Sequence, residues 1–289
     1  MAEEKGSVCV TGATGFIASR LIMGLLQQGY FVRATVRSHP PAYQQPQRSS
    51  KSSKPISNNP KVLAIEGCIG VFHVAHPIII SEQEPEDEAI KLTVEGTLGI
   101  LKACLNSKTV KRVVYTSSAA TVVYSGNGQG LVDENTWSDI DFYKTLNRKG
   151  TNLYMATKTK TEKAALEFAE KHGLDLVTLI PPLVVGPFIC SHLPSSVGLA
   201  LCMILGNRKD HYKYLCKISL VHVDDVARAH IFLFENPNAK GSSLKEIEGY
   251  AEKPSLSSKK LVDSGFEFKH GLDDMYDGAI KSCKENGFL

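Results

Sequence analysis

Net charge is nearly absent from this chain: 33 Lys and Arg stand against 30 Asp and Glu, for a formal charge of +3. A balance so close to neutral gives no ground for nucleic acid or an anionic membrane surface as a partner. Apolar runs are short. None reaches the ~18 residues of a membrane-spanning helix, so no span is expected. Paired cysteines are missing too. The seven cysteines (Cys9, Cys68, Cys104, Cys190, Cys202, Cys216 and Cys283) are scattered, odd in number and free of any C-x-x-C spacing. That argues for reduced thiols and against a disulfide framework or a zinc site. His73 and His76 have no neighbouring carboxylate or cysteine cluster in sequence, so no metal is expected. The first residues, MAEEK, lack the apolar stretch of a secretory signal, which with the thiols makes a cytoplasmic location the expectation.

What is present is enough apolar residue, 43% of 289, for one large α/β domain with or without a smaller lobe. The most informative stretch is Val8-Cys9-Val10-Thr11-Gly12-Ala13-Thr14-Gly15-Phe16-Ile17-Ala18. A β-branched run ends in glycines, and a helix follows with Ile17, Leu21, Ile22, Leu25 and Leu26 on its apolar side. This is the strand-turn-helix entry of a dinucleotide-binding unit. Gly12 permits the sharp turn, and Gly15 lets backbone N–H groups approach a pyrophosphate at the helix N-terminus. The third small position is Ala18, which leaves less room for helix-on-strand packing.

Phe31 to Val36 reads as the second strand, and Arg37 follows it. An arginine there, where an acidic residue would take a ribose 2′-OH, favours a 2′-phosphate and hence NADPH; Arg33 is a second candidate. Ser38 to Pro60 is rich in Ser, Pro, Gln and Asn and reads as a loose loop. Gly70 to Ala75 and Arg112 to Thr116 read as buried strands, with a helix from Glu86 to Asn106 between them. Gly126 to Gly130 reads as a flexible loop. Further on, Leu174 to Ile180 and Ser219 to Val223 read as strands, Leu193 to Gly206 as an apolar helix able to wall an organic substrate, and Leu272 to Asn286 as an amphipathic helix. Asp224 reads as the cap of a helix from Asp225 to Glu235, a reading preferred to an Asp224-Asp225 catalytic dyad.

Tyr154-Met155-Ala156-Thr157-Lys158 opens a helix running to about His172. Residues i and i+4 share a helix face, so phenol and ammonium lie side by side, and the charge is expected to lower the tyrosine pKa. Alone the spacing is common on exposed helix surface. Here it follows a strand that ends in Ser117-Ser118, downstream of a dinucleotide turn, and the combination is far more specific.

Taken together, VCVTGATGFIASRLI, YFVRATVR, IEGCIGVFHVAHP, KTVKRVVYTSSAATV, LIPPLVVGPF and LVHVDDVARAHIFLFENP resemble plant reductases of the extended short-chain dehydrogenase/reductase superfamily. The group is that of the dihydroflavonol 4-reductases, and the likeness is greatest to its vestitone reductase-like members. The resemblance implies an α/β fold: a Rossmann-type doubly wound parallel sheet (residues 1–181 with 219–236) and a small C-terminal substrate lobe (182–218 with 237–289). It implies reduction of a ketone on a flavonoid- or isoflavonoid-like, phenolic substrate by NADPH. Ser118 would hold the carbonyl, Tyr154 would protonate it, and Lys158 would hold the nicotinamide ribose. Gly12, Gly15, Phe16 and Ile17 would meet the pyrophosphate and Arg37 the 2′-phosphate, while Pro181 and Leu183 would line the nicotinamide side.

The chain also departs from the group. Ser38 to Pro60 stands where the group carries a helix and a strand ending in Asp-Leu, and a second shortening follows Gly241. His76 replaces a small hydroxyl residue, and Val123 replaces a polar residue that reads the substrate. Leu153 and Met155 argue against the cinnamoyl-CoA reductase branch. The two losses leave a second reading, a cofactor-binding protein with impaired or no catalysis. Arg37→Asp should abolish or reverse a preference for NADPH over NADH. A charged hydrogen bond of about 1.5–3 kcal/mol makes that preference roughly 10- to 100-fold. Equal Kd values for the two cofactors in the unsubstituted protein would remove the assignment.

Overall fold

A computed structural model describes residues 5–36, 64–77, 85–123, 131–132, 136–145, 149–206, 212, 218–244 and 255–289. Its centre is a six-stranded parallel sheet in the order β2-β1-β3-β4-β6-β9. The strands are β1 (Ser7–Thr11), β2 (Phe31–Thr35), β3 (Gly70–His73), β4 (Arg112–Thr116), β6 (Leu176–Ile180) and β9 (Gly241–Leu244). β1 lies between β2 and β3, with Val8 opposite both Val32 and Gly70. Every residue of β3, β4 and β6 is buried, as expected of strands covered on both faces. The Rossmann-type reading holds.

Alternation along the strands sends successive side chains into two separate cores. Val8, Val10, Phe72, Val114 and Val177 pack under α1 (Phe16–Gln27) and α7 (Val223–Glu235). Cys9, Val71, Val113, Tyr115 and Leu176 pack under α2 (Glu86–Ser107) and α4 (Lys149–His172). Gly70 makes room for the first core, because a Cβ there would sit 2.1 Å from the Phe234 ring. The second core holds Cys9, Cys68 and Cys104, and burial pushes the thiols of Cys9 and Cys104 up to about 12, which makes them inert.

Arg112 secures the end of the sheet away from the site. It pairs with Asp175 at 2.9 Å and donates to the carbonyls of Leu233 (2.7 Å), Ala239 (3.2 Å) and Asn236. Those carbonyls lie at and just past the C-terminus of α7, where backbone acceptors need partners. The same turn brings the chain back beside β6, so 241–244 extends the main sheet instead of joining the lobe that the sequence division starts at 237.

A second, two-stranded sheet pairs β7 (Leu183–Val185) with β8 (Leu220–His222), so 220–222 joins the C-terminal lobe and not the main sheet to which the sequence division assigned it. The lobe adds α5 (Ser195–Ala200), α6 (Cys202–Leu205) and α9 (Leu272–Glu285). Val185, Phe188, Val197, Leu201, Met275, Ala279 and Cys283 form its core. The apolar stretch 193–206 is two short helices separated at Leu201, not one. The remaining short elements are β5 (Leu131–Val132), β10 (Ser255–Leu256), α3 (Ile140–Thr145) and α8 (Lys259–Asp263).

Helix α4 begins at Lys149, five residues before Tyr154, and α7 begins at Val223. The cap of α7 is His222, whose Nδ1 accepts from the Asp224 backbone N–H at 3.1 Å, so Asp224 is not the cap. Asp224 instead takes a two-pronged ion pair from Arg20 of α1, at 2.7 Å on each oxygen. Among the described residues β2 is the sheet edge, with Phe31 and Val36 54% and 56% exposed. Arg37, Ser38 to Pro60, Gly126 to Gly130 and Cys216 lie outside the described residues.

His230 fastens α7 to β4. Its Nδ1 meets the Val226 carbonyl at 2.7 Å and its Nε2 meets the Thr116 hydroxyl at 2.6 Å. The carbonyl can only accept, so Nδ1 carries the proton and Nε2 accepts from Thr116. Burial depresses His230 to about 4 against the opposing pull of the Val226 carbonyl. A depressed pKa means stability that is complete above about pH 6.5 and is lost as pH falls through about 4, up to about 3 kcal/mol. Thermal unfolding followed across that window should therefore show a steeper acid decline in the parent than in His230→Gln. Parallel declines would contradict it.

Candidate active site

The carboxyl ends of β1, β4 and β6 converge on one edge of the sheet, where open α/β sheets hold their ligands. At the end of β1, Gly12 adopts φ +73° against Ala75, and a Cβ on Gly12 would lie 3.1 Å from the Ala75 Cα and Cβ. Gly15 caps α1 in an extended conformation, and its N–H donates to the Gly12 carbonyl at 2.9 Å. No side chain caps this helix and no acidic residue occupies its first turn. The result is a cradle of backbone N–H groups, with Phe16 and Ile17 opening the helix, that suits an anion. Ala18 is fully buried in the core beneath, so its methyl group packs where a glycine would leave space.

Beyond β4 two adjacent serines divide. Ser117 turns inward and donates to the buried carboxylate of Glu162. Ser118 turns outward, caps a short turn through the Ala120 N–H at 3.2 Å, and faces the Tyr154 phenol, whose ionised form it favours. Strand alternation accounts for the split. Pro181 and Leu183 stand just past β6, and the Pro181 carbonyl accepts from the Ala119 N–H at 2.9 Å, tying this segment to the Ser118 turn.

Tyr154 and Lys158 share a face of α4 as their spacing predicts. Lys158 is 4% exposed, donates to the Thr116 carbonyl at 3.0 Å and sits 5.6 Å from the centroid of the Tyr115 ring. Burial drives it down to about 7, and Glu162 opposes that shift. The expected lowering of Tyr154 by Lys158 is not what the structure shows. Burial raises the Tyr154 phenol and Ser118 is the group that opposes it, because the ammonium is directed to Thr116. Tyr154 is thereby held in its protonated form.

Sequence reasoning gave His76 no role here. Its ring meets Tyr154 edge-on at 5.8 Å, and its Nε2 lies 3.5 Å from the Thr157 hydroxyl. Burial, with Lys158 and His73 nearby, pushes His76 down to about 2, so it faces Tyr154 as a neutral imidazole. The segment after β3 thus touches both halves of the site, with Ala75 against Gly12 and His76 against Tyr154. His73 is a core histidine, held by the hydroxyls of Thr11 at 2.8 Å and Thr97 at 3.2 Å. Elsewhere, His222, Asp224 and His270 come within metal-ligand reach of one another, but Arg20 holds both Asp224 oxygens. Asp225 is fully buried and occupied by Arg228 and the backbone N–H groups of Lys269 and His270. The acidic pair ties α7 to α1 and the lobe.

Gly12→Ala would combine a left-handed backbone with a crowded Cβ and should cost about 1–3 kcal/mol. Gly173 also has a positive φ, +64°, but nothing lies within 4 Å of a Cβ there. Gly173→Ala should therefore lower the urea midpoint less than Gly12→Ala. The reverse order would show that the Ala75 contact yields without cost.

The family model of the NAD dependent epimerase/dehydratase family matches residues 8–245. Vestitone reductase of Medicago sativa is 44% identical over 330 aligned positions, covering 100% of both chains. A dihydroflavonol 4-reductase of Zea mays is 42% identical over 335 positions, covering 100% of this chain and 91% of its own. Both alignments are longer than the 289 residues of this chain, as deletions in it require. The crystal structure of the alfalfa vestitone reductase superposes with a TM-score of 0.78 at 40% identity, covering 99% of this chain and 100% of that one. This chain therefore belongs to the NAD dependent epimerase/dehydratase family, and shares its fold and most of its length with reductases of that family.

Proposed function

We propose that this protein is an NADPH-dependent oxidoreductase that reduces a ketone on a flavonoid- or isoflavonoid-like substrate to the alcohol. One observation carries the reading: Ser118, Tyr154 and buried Lys158 meet on the same sheet edge as an uncapped glycine turn. The names of the relatives, vestitone reductase and dihydroflavonol 4-reductase, support the substrate class. The second reading, impaired or no catalysis, rests on the two shortenings alone; the approach of Ser118, Tyr154 and Lys158 to one another supports the first.

The cradle fits a dinucleotide. The N-terminus of α1 after Gly12 and Gly15 has no side-chain cap and no acidic side chain in its first turn to repel a pyrophosphate. Gly12, Gly15, Phe16 and Ile17 would hold the pyrophosphate, Arg37 the 2′-phosphate and Lys158 the ribose, with Pro181 and Leu183 beside the nicotinamide. NADPH, when bound, supplies the hydride. The chain's own residues manage the oxygen. The Ser118 hydroxyl donates to the carbonyl, and Tyr154, kept protonated by burial, gives its proton as negative charge grows on that oxygen. The Lys158 ammonium then offsets the phenolate left behind. His76 is neutral, so it adds no charge against Tyr154.

Purified protein should oxidise NADPH in the presence of at least one member of a panel of flavanones, isoflavanones and dihydroflavonols. Tyr154→Phe keeps the ring and removes the acid, so kcat should fall by about 10²–10⁴-fold while NADPH affinity changes little. Full turnover by that variant would overturn the assignment of Tyr154.

A further inference from the structure

Tyr154, Lys158 and Glu162 form one stripe along α4, each four residues from the next. The first two account for the proposed chemistry, and the third is left over. Glu162 is fully buried, a position carboxylates occupy only when something holds them there. The Ser117 hydroxyl donates to Oε2, and the Thr178 hydroxyl donates to Oε1 at 2.7 Å. The Thr121 hydroxyl, which donates to the Ser118 carbonyl at 2.9 Å, also reaches the carboxylate. The two donors, Ser117 and Thr178, come from the end of β4 and from β6, so the sheet itself presents them to this one side chain.

The groups around Lys158 are these. Tyr154 and Glu162 lie on its own helix, Tyr115 comes from β4, and His73 and His76 come from β3 and the segment after it. Tyr115 is held far above its ordinary range by burial, Glu162 and Tyr154, so it stays neutral. Tyr154 stays protonated and His76 stays neutral, as above. Among the described residues that face Lys158, Glu162 is the source of negative charge. Burial raises Glu162 overall, and its hydroxyl donors and Lys158 offset that rise only in part.

We propose that Glu162 is a positioning residue of the reducing site: held as a carboxylate by Ser117 and Thr178, it is the fixed counter-charge that keeps Lys158 an ammonium beside Tyr154. The role belongs to the ketone-reducing reading of the site, but its physical content is the ionisation of Lys158 in the protein without ligands. A purely architectural Glu162 would pin α4 to the sheet and leave that ionisation where it is. The counter-charge role ties the two together. Neutralising Glu162 removes an attraction in a desolvated setting and lowers the pH at which Lys158 loses its proton.

The test is a titration of ligand-free protein carrying ¹³Cε-labelled lysine, followed by NMR. Lys158 is assigned by the signal that disappears in Lys158→Met. In the parent its midpoint is expected near 7. Glu162→Gln keeps the shape and removes the charge, and the midpoint should fall by about one pH unit or more. Thr178→Val is nearly isosteric, removes one donor to the carboxylate, and should move the midpoint the same way by less. It decides the matter if Glu162→Gln does not fold. Midpoints equal to the parent's in the folded variants would overturn the proposal. Where a ketone is turned over, the alkaline limb of kcat/KM should shift with the midpoint. If no ketone is reduced, the reductase reading fails while the titration still decides the role of Glu162.

Discussion

The burial of one ammonium group organises this structure. Lys158 sits almost out of water at the end of β4, where desolvation works against its charge, and the surrounding chain supplies what water would have given. The Thr116 carbonyl accepts its hydrogen bond, the Tyr115 ring lies beside it and Glu162 stands one turn further along α4. The same helix buries Thr157, Lys158, Thr159, Thr161 and Glu162 together. A helix normally buries its apolar stripe. Here Ala165 and Ala169 do so near the C-terminal end, while the turns nearer Tyr154 bury polar side chains, Lys158 and Glu162 among them.

The rest of the fold sets that charge beside the glycine turn and keeps it there. Central strands buried on both faces fix β1 next to β3 and β3 next to β4, so the ends of β1 and β4 cannot drift apart. The segment after β3 spans the distance between them, with Ala75 closed on Gly12 and His76 against Tyr154. At the opposite end Arg112 gathers β4, Asp175 and the last carbonyls of α7. Arg20 and Asp224 then lock α1, the helix that carries the cradle, to α7.

Much of this was legible in the sequence, for physical reasons that differ between elements. The glycine turn could be read because a positive φ and a close approach to Ala75 leave few residue types possible at Gly12. The central strands could be read because burial on both faces makes them continuous apolar runs, and Tyr154 with Lys158 because helical periodicity is local. What escaped depends on contacts distant in sequence. Thr178 and Ser117 make Glu162 a held carboxylate, and neither is near it in sequence. The direction of the Tyr154 shift followed from how deeply the phenol lies and from where Lys158 points, which spacing does not tell. The cap of α7 was placed two residues late because a histidine side chain can accept from a backbone N–H as Asp does, and Asp224 is the more usual choice. The pairing of β9 with β6 likewise needed the turn that Arg112 holds.

The central claim is that this sheet edge brings a nicotinamide and a ketone together beside Tyr154. The most direct measurement follows the hydrogen. NADPH deuterated at the transferred position would be incubated with the protein and a flavonoid ketone, and the product examined by mass spectrometry and NMR. Deuterium on the new carbinol carbon, with an ordinary proton on its oxygen in unlabelled water, is the result this account predicts. Alcohol product without deuterium at that carbon would contradict it, as would tight NADPH binding with no alcohol from any ketone of the class.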